Sequence, residues 1–192
     1  MRRERLDRDY FENLYEESTD PWGFETSEYE RRKYERTLES LGERRFHRAF
    51  EAGSSIGVFT SMLAPRCDEL LAVDASVKAV EIAKERLAEQ SQVRVERRTL
   101  PEEMPVGPFD LIVASEVLYY WPREVVLEAL RCFEGILAPG GVLVAVHWRK
   151  ETRTYPLQGD EVHDLLIHHT RLANVKTLKE PEYRLDLFED NS

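Results

Sequence analysis

Apolar positions along the chain change their period near residue 46, and that change separates two kinds of segment. Before it, Phe11, Leu14 and Tyr15, and then Tyr29, Tyr34, Leu38 and Leu41 with Lys33 on the same face, recur at helical spacing, which predicts helices over 6–17 and 26–42. Asp20-Pro21-Trp22-Gly23 parts them as a turn. From Phe46 onward short apolar runs alternate with helical patterns. Strands are expected near 46–51, 69–74, 92–97, 109–115 and 142–148, with helices near 57–65, 76–89 and 122–138. Such alternation predicts a parallel sheet with helices on both faces. Leu137-Ala138-Pro139 followed by Gly140-Gly141 reads as a helix stop and tight turn feeding the apolar run Val142 to Val146.

After Trp148 the pattern changes to a polar loop holding Pro156 and Gly159, a helix near 160–171, and two alternating segments over 174–179 and 183–189. Pro181 and Glu182 sit between those segments. A parallel pair needs a crossover of about a dozen residues, so this link predicts antiparallel strands. The expected fold is α/β, with seven strands, mostly parallel, and a C-terminal antiparallel hairpin.

Composition narrows the class. A chain of 192 residues with 42% hydrophobic content fits one domain over 1–192. The formal charge is −10, and acidic residues interleave the arginines that crowd the first quarter (Arg2, Arg3, Arg5, Arg31, Arg32, Arg44, Arg45). That describes a solvated helical surface rather than a phosphate-binding stripe, and argues against a nucleic-acid partner. Cys67 and Cys132 are too few for a disulfide framework and read as buried, reduced thiols. No apolar leader is evident and no apolar run approaches the ~18 residues that span a bilayer. A cytoplasmic protein without a membrane partner is therefore expected. No His, Cys or carboxylate cluster has metal-ligand spacing.

The chemistry concentrates in Ala49-Phe50-Glu51-Ala52-Gly53-Ser54-Ser55-Ile56-Gly57 and, about twenty residues later, Leu70-Leu71-Ala72-Val73-Asp74. Glycines at a strand-to-helix turn let backbone approach a ligand, and a carboxylate at the tip of the next strand accepts ribose hydroxyls. A dinucleotide site would carry G-x-G-x-x-G with a pyrophosphate on the helix N-terminus. Here the spacing is G-x-x-x-G, Gly53 and Gly57, preceded by Glu51. A carboxylate beside the turn repels pyrophosphate but suits an ammonium or sulfonium, and S-adenosyl-L-methionine carries both. Asp74 could instead cap the following helix, but Ser76 can supply that cap.

Asp74 at its strand end, the strand Phe109-Asp110-Leu111-Ile112, Leu137 to Gly141 and the terminal hairpin together resemble the Rossmann-like class I S-adenosylmethionine-dependent methyltransferases over about residues 46–189. The resemblance implies that Glu51, Gly53, Ser55 and Gly57 touch the methionine moiety and ribose, and that Asp74 with Ala75 binds the ribose. It further implies that Thr99 and Leu100 lie where adenine is held and that Ser115 begins the loop facing the methyl group. Ser55 stands where that family often has a middle glycine.

Asp20-Pro21-Trp22, Tyr29 to Tyr34, Ser115-Glu116-Val117 with Tyr119-Tyr120, His147-Trp148-Arg149, and Tyr155-Pro156-Leu157 with Gly159-Asp160-Glu161-Val162-His163 resemble the nodulation protein S (NodS-like) family from about residue 20 to the end. This implies N-methylation of a free amine on a sugar or other small molecule. It makes 1–45 a helical lid, with Tyr29, Tyr34 or Lys33 near the cofactor.

Glu116 ends an apolar strand at the carboxyl edge, where open α/β sheets bind ligands, so it is a candidate catalytic group, with a solvated rim carboxylate as the alternative reading. His147, at the end of another strand, is a second candidate, because an imidazole with a pKa near 6.5 can take a proton from an amine. Tyr119, Tyr120 and Trp148 are expected to wall the acceptor pocket, as aromatic rings stack on sugar faces. Asp160 reads as a helix cap and His163 as a further pocket residue. A hydroxyl acceptor, or a scaffold that binds the cofactor without turnover, fits the same cofactor residues. The Asn/Asp-Pro-Pro-Tyr/Phe signature of nucleic-acid amino-methyltransferases is absent at Ser115 to Leu118, and no metal-dependent catechol site can be assembled.

Overall fold

A computed structural model describes residues 5–191. Residues 1–4 of the expected lid lie outside the described residues. Two compact units account for the described chain, one over Asp7–Thr99 and the other over 5–6 with 100–191.

In the first unit Asp7 caps helix α1 (Arg8–Glu17) by accepting the Tyr10 N–H, and Ser27 caps α2 (Glu28–Ser40) through the Glu30 N–H. Both helices fall inside the spans their periodicity predicts. Between them the Asp20 carboxylate accepts the N–H groups of Phe24 at 2.8 Å and Glu25 at 2.9 Å, which closes the turn. That turn sets Trp22 against Phe24 and against the edge of Tyr15. Strands β1 (Phe46–Ala52), β2 (Cys67–Asp74) and β3 (Val93–Arg97) follow, with β2 paired parallel to both neighbours. Helix α3 (Val58–Leu63) links β1 to β2, and α4 (Val77–Arg86) links β2 to β3. Ala72, Val80, Ala83, Leu87 and Val95 form one buried cluster. Tyr15, Ile56 and Ala79 form a second, which joins α1 to the loop after β1 and to α4. Gly57 has φ +78°, and a Cβ there would meet Leu87 at 3.0 Å and Ala83 at 3.1 Å. Glycine thus serves both the left-handed turn and the close seat of α4.

In the second unit β4 (Phe109–Ser115) runs parallel to β5 (Leu137–Trp148), with α5 (Arg123–Ile136) between them in the chain. Helix α6 (Gly159–His169) leads to β6 (Ala173–Lys179) and β7 (Tyr183–Glu189). Strand β7 pairs antiparallel with both β5 and β6, as the short link at Pro181 and Glu182 predicts. Leu111 to Ala114 and Val142 to Val146 are buried throughout, the pattern of strands covered on both faces.

Three local expectations need correction. Leu137 to Gly141 is the start of β5 rather than a tight turn. Leu137 pairs with Phe109, the register shifts between Phe109 and Leu111, and Asp190 bonds Gly140 and Gly141 at 3.0 Å each, so a bulge takes up what looked like a reversal. Asp160 does not cap α6, because Gln158 does so in a reciprocal capping box with Glu161, while Asp160 pairs with Arg149 at 3.0 Å. Cys67 is buried, but Cys132 is only half-buried. Lys33, which its spacing places on the same face as Tyr29 and Tyr34, is buried and paired with Glu30 at 2.7 Å.

The strand order is β3-β2-β1-β4-β5-β7-β6, the seven-stranded, mostly parallel sheet of an α/β fold. No helix among the described residues is long and apolar enough to cross a membrane. Among the described residues no group of three or more His, Cys, Asp or Glu side chains could hold a metal ion.

Two glycines predict opposite responses to alanine. A Cβ at Gly159 would lie 2.0 Å from the Trp148 carbonyl oxygen, so Gly159→Ala should lower stability by about 1–3 kcal/mol. Gly135 lies in α5 with nothing near the added carbon, so Gly135→Ala should raise stability by about 0.5–1 kcal/mol. Paired thermal melts of the two variants check the signs.

Candidate functional site

The glycine loop is built at the carboxyl end of β1. Gly53 and Ser54 both donate their N–H groups to the Val73 carbonyl at 2.9 Å, which ties the loop to the end of β2. Gly53 (φ +80°), Ser55 (φ +50°) and Gly57 (φ +78°) are left-handed. At Ser55 this costs about 1–2 kcal/mol for a residue with a side chain. Its N–H donates to Asp74 Oδ2 at 2.9 Å, and its hydroxyl meets the Tyr15 hydroxyl at 2.5 Å. The middle position of the loop thus has the conformation that favours glycine, and two hydrogen bonds hold serine there.

Asp74 Oδ1 accepts the Ser76 N–H at 2.9 Å, and Ser76 itself caps α4 through the Ala79 N–H. Ser76 therefore does supply the cap, yet Asp74 is anchored rather than unengaged. Burial raises the Asp74 pKa, while the backbone N–H groups of Ser76, Ser55 and Ala75 oppose the rise. The Glu12 carboxylate bonds the Ser76 hydroxyl, so α1 reaches this region through both Glu12 and Tyr15.

Glu51 is 3% exposed, and its Oε2 has no hydrogen-bond partner within the protein. Burial pushes its pKa up to about 8, with the negative charge of Asp74 adding to the rise and the Thr60 hydroxyl opposing it. An unsatisfied buried carboxylate oxygen calls for a donor, and a cationic N–H is the one that also restores the charge. The residues at this loop thus fit a ligand bearing an ammonium and a ribose.

Tyr29 and Tyr34 gather about Lys33, whose ammonium lies 5.4 Å and 5.8 Å from their ring centroids. Tyr34 also packs on Phe59, 5.2 Å between rings. Ala75 is half-buried beside Asp74, and the Thr99 hydroxyl accepts from Arg97 at 3.0 Å.

In the second unit Leu100 is buried, and its carbonyl accepts from Arg5, which also pairs with Glu102. Ser115 ends β4, and Glu116 follows with φ +54°. Its N–H donates to the Val146 carbonyl at 2.8 Å. Its carboxylate Oε2 accepts the Trp148 N–H at 3.0 Å and the Tyr119 hydroxyl. Tyr119 stacks on Tyr155 at 5.0 Å, and Tyr120 meets Tyr155 edge-on at 4.7 Å. Burial, with Glu116 adding to it, holds the Tyr119 phenol far above its ordinary pKa, so it remains a donor to Glu116.

His147 is fully buried among these groups. Its Nε2 accepts the Leu118 N–H at 3.1 Å, and its Nδ1 faces His163 Nε2 at 3.2 Å. His163 Nδ1 reaches Asp186 Oδ2 at 2.7 Å. Burial lowers the His163 pKa, with Asp186 opposing, whereas hydrogen bonding by His163 keeps Asp186 below the usual carboxylate range against its own burial.

Within the first unit the structure brings Ser55 onto Asp74, and within the second it brings Glu116, Tyr119, Tyr120, Trp148, His147 and His163 into one connected set. Sequence reasoning did not single out Tyr15 or Tyr155 as site residues. Tyr15 occupies an apolar helical position indistinguishable from core, and Tyr155 lies in an aperiodic segment, marked only by the adjoining Pro156.

The family model for nodulation protein S (NodS) matches residues 8–157. Nodulation protein S of Bradyrhizobium diazoefficiens is 35% identical over 127 residues, which cover 65% of this chain and 61% of that protein. Nodulation protein S of Rhizobium tropici is 33% identical over 131 residues, 65% of this chain and 53% of that protein. The chain thus spans about three fifths or less of the length of the curated relatives it matches. Among solved structures, the N-methyltransferase NodS of Bradyrhizobium japonicum WM9, in complex with S-adenosyl-L-homocysteine, superposes with a TM-score of 0.85 at 26% identity, over 94% of this chain and 98% of that one. With the strand order above and a family match that runs from α1 through the glycine loop to Leu157, the chain belongs to the nodulation protein S family.

Proposed function

We propose that this chain is an enzyme that transfers a methyl group from S-adenosyl-L-methionine to the amino nitrogen of a small molecule, an amino sugar or short oligosaccharide being the acceptor class. The observation that carries the reading is the buried, unpartnered carboxylate oxygen of Glu51 beside a G-x-x-x-G loop anchored on Asp74. The NodS structure solved with S-adenosyl-L-homocysteine supports the same donor.

When bound, S-adenosyl-L-methionine supplies a methyl group already activated on a sulfonium. Glu51 receives the ammonium of the amino acid end. Asp74 takes the ribose hydroxyls, because a carboxylate has about four acceptor positions and anchoring Ser55 and Ser76 consumes only part of them. Thr99, in the same unit as Glu51 and Asp74, is assigned to the adenine. Helices α1 and α2 act as a lid, with α1 held to the loop through Tyr15 and to Ser76 through Glu12. Cys67 and Cys132 are not joined in a disulfide, which fits a reducing compartment such as the cytoplasm.

In the second unit Glu116 attracts the protonated amine and takes its proton, while Tyr119 and Trp148 fix the carboxylate. Tyr119, Tyr120, Tyr155 and Trp148 frame the sugar. Most of the acceleration then comes from alignment and water exclusion, worth up to about 7–11 kcal/mol for well-oriented reactants.

Glu51 ties donor binding to proton release. With a folded pKa near 8 it is mostly protonated at pH 7, and an ammonium ligand requires the carboxylate. Calorimetric titration with S-adenosyl-L-methionine at pH 7, in buffers of different ionisation enthalpy, should show nearly one proton released per ligand. Glu51→Gln should show none and should weaken binding roughly 30-fold or more. In the ligand-free protein, where the folded pKa lies above the unfolded one, this group's contribution to stability is full below about 4.5 and is lost as pH rises through about 8.

Glu116→Gln should lower kcat with an oligomer of glucosamine by about 10²-fold or more and leave donor affinity unchanged. Mass spectrometry should place the new methyl on nitrogen, and the fully N-acetylated oligomer should gain none. Methylation of that N-acetylated control would make the acceptor a hydroxyl.

A further inference from the structure

Leu118 opens a short 3-10 turn and is buried, so its N–H needs an acceptor from outside the turn. That acceptor is Nε2 of His147, 3.1 Å away. For Nε2 to accept, the ring proton of a neutral His147 must sit on Nδ1, which faces Nε2 of His163 at 3.2 Å. That nitrogen must then accept as well, placing the His163 proton on Nδ1, 2.7 Å from Asp186 Oδ2. Asp186 is completely buried, yet the Thr177 hydroxyl bonds its other oxygen and the Arg184 Nε lies 2.9 Å from Oδ2. Arg184 is in turn paired with Asp164 at 2.9 Å, with Asp160 3.7 Å away. Every donor in this row points the same way, from Leu118 toward Asp186. A proton added to either ring, or moved to the other nitrogen, sets two donors face to face.

The row ends one residue from a second tether. His147 and Trp148 are neighbours on β5, and the Trp148 N–H holds the Glu116 carboxylate while the His147 ring holds Leu118. Two adjacent residues of one rigid strand thus clamp the loop on which Glu116 stands in a left-handed conformation.

We propose that His147, His163 and Asp186 are positioning residues that set the loop Glu116 to Tyr119 for the acceptor, with both imidazoles locked neutral in the Nδ1–H form; the catalytic part of this rests on the amine-transfer reading above. His147 does not touch the acceptor in this assignment. Its carboxylate-oriented ring fixes the residue that does.

Nitrogen NMR of the full-length chain, labelled with 15N-histidine at pH 7.5, reads the tautomers directly, with His147→Gln and His163→Gln assigning the signals. Both rings should carry the proton on Nδ1 with an unprotonated Nε2. A proton on either Nε2 overturns the proposal whatever the enzyme does. Two substitutions then separate positioning from bulk structure. In His147→Gln the amide oxygen can stand where Nε2 accepts from Leu118, whereas in His147→Asn the shorter amide reaches only the Nδ1 side. With S-adenosyl-L-methionine and a glucosamine oligomer, His147→Asn should lose about 10²-fold in kcat. His147→Gln should recover most of that loss, and donor affinity should hold in both. The Leu118 amide should exchange with solvent faster in the Asn variant and stay protected in the Gln variant. Equal losses in the two variants, or unchanged Leu118 protection in both, contradict the positioning role. Absence of any turnover by the unaltered chain would sink the reaction itself, while the tautomers stand or fall by the nitrogen spectra alone.

Discussion

The carboxylate of Asp74 accepts the N–H of Ser55 on one oxygen and the N–H of Ser76 on the other, and the first unit depends on that double grip. One contact keeps a non-glycine residue in the left-handed region, where it shapes the turn after β1. The other fixes the start of α4, the helix whose Ala83 and Leu87 seat Gly57. The loop therefore owes its shape to a carboxylate as much as to its glycines. Asp74 is thus an anchored acceptor of backbone N–H groups, whereas Glu51 is a buried carboxyl group with one oxygen unpartnered within the protein. The proposed function gives them different tasks, the first toward ribose hydroxyls and the second toward an ammonium.

The second unit repeats the device with different chemistry. Glu116 is again a left-handed residue at the end of a strand, and it too is fixed by backbone N–H donation, from Trp148. Its neighbourhood is aromatic rather than glycine-rich, which suits an acceptor with flat apolar faces more than a phosphate. Behind it lies a row of buried polar groups in which His147, His163 and Asp186 satisfy one another. Such a network is expensive when incomplete and rigid when complete. Its presence beside the loop Glu116 to Tyr119, rather than an apolar core of equal volume, is what the proposed need for a fixed carboxylate would require.

Much of this was legible in the residues. Period changes at Phe46 and Trp148 located the elements, and the short link at Pro181 gave the antiparallel strands. Glu51, Asp74 and Glu116 stood out because a carboxylate at a strand end has few structural excuses. What escaped depends on contacts distant in sequence. Leu137 to Gly141 looked like a reversal because Pro and Gly signal turns locally, and only pairing with Phe109 and Asp190 makes it strand. Asp160 looked like a cap until Gln158 took that place and Arg149 claimed it. His147 looked like a candidate base because a strand-end histidine points to the ligand edge, whereas the His163 and Leu118 contacts that occupy its two nitrogens lie sixteen and twenty-nine residues away. Serine at position 55 carried no sign of the tyrosine forty residues earlier that meets its hydroxyl.

The central claim is that the turn after β1 selects a nucleoside with a cationic amino acid tail and rejects a dinucleotide. Isothermal titration of the intact chain with S-adenosyl-L-methionine, and separately with a nicotinamide dinucleotide, tests it most directly. The account predicts saturable binding of the first at one molecule per chain and no measurable binding of the second. No binding of S-adenosyl-L-methionine, or equal binding of the dinucleotide, would contradict it.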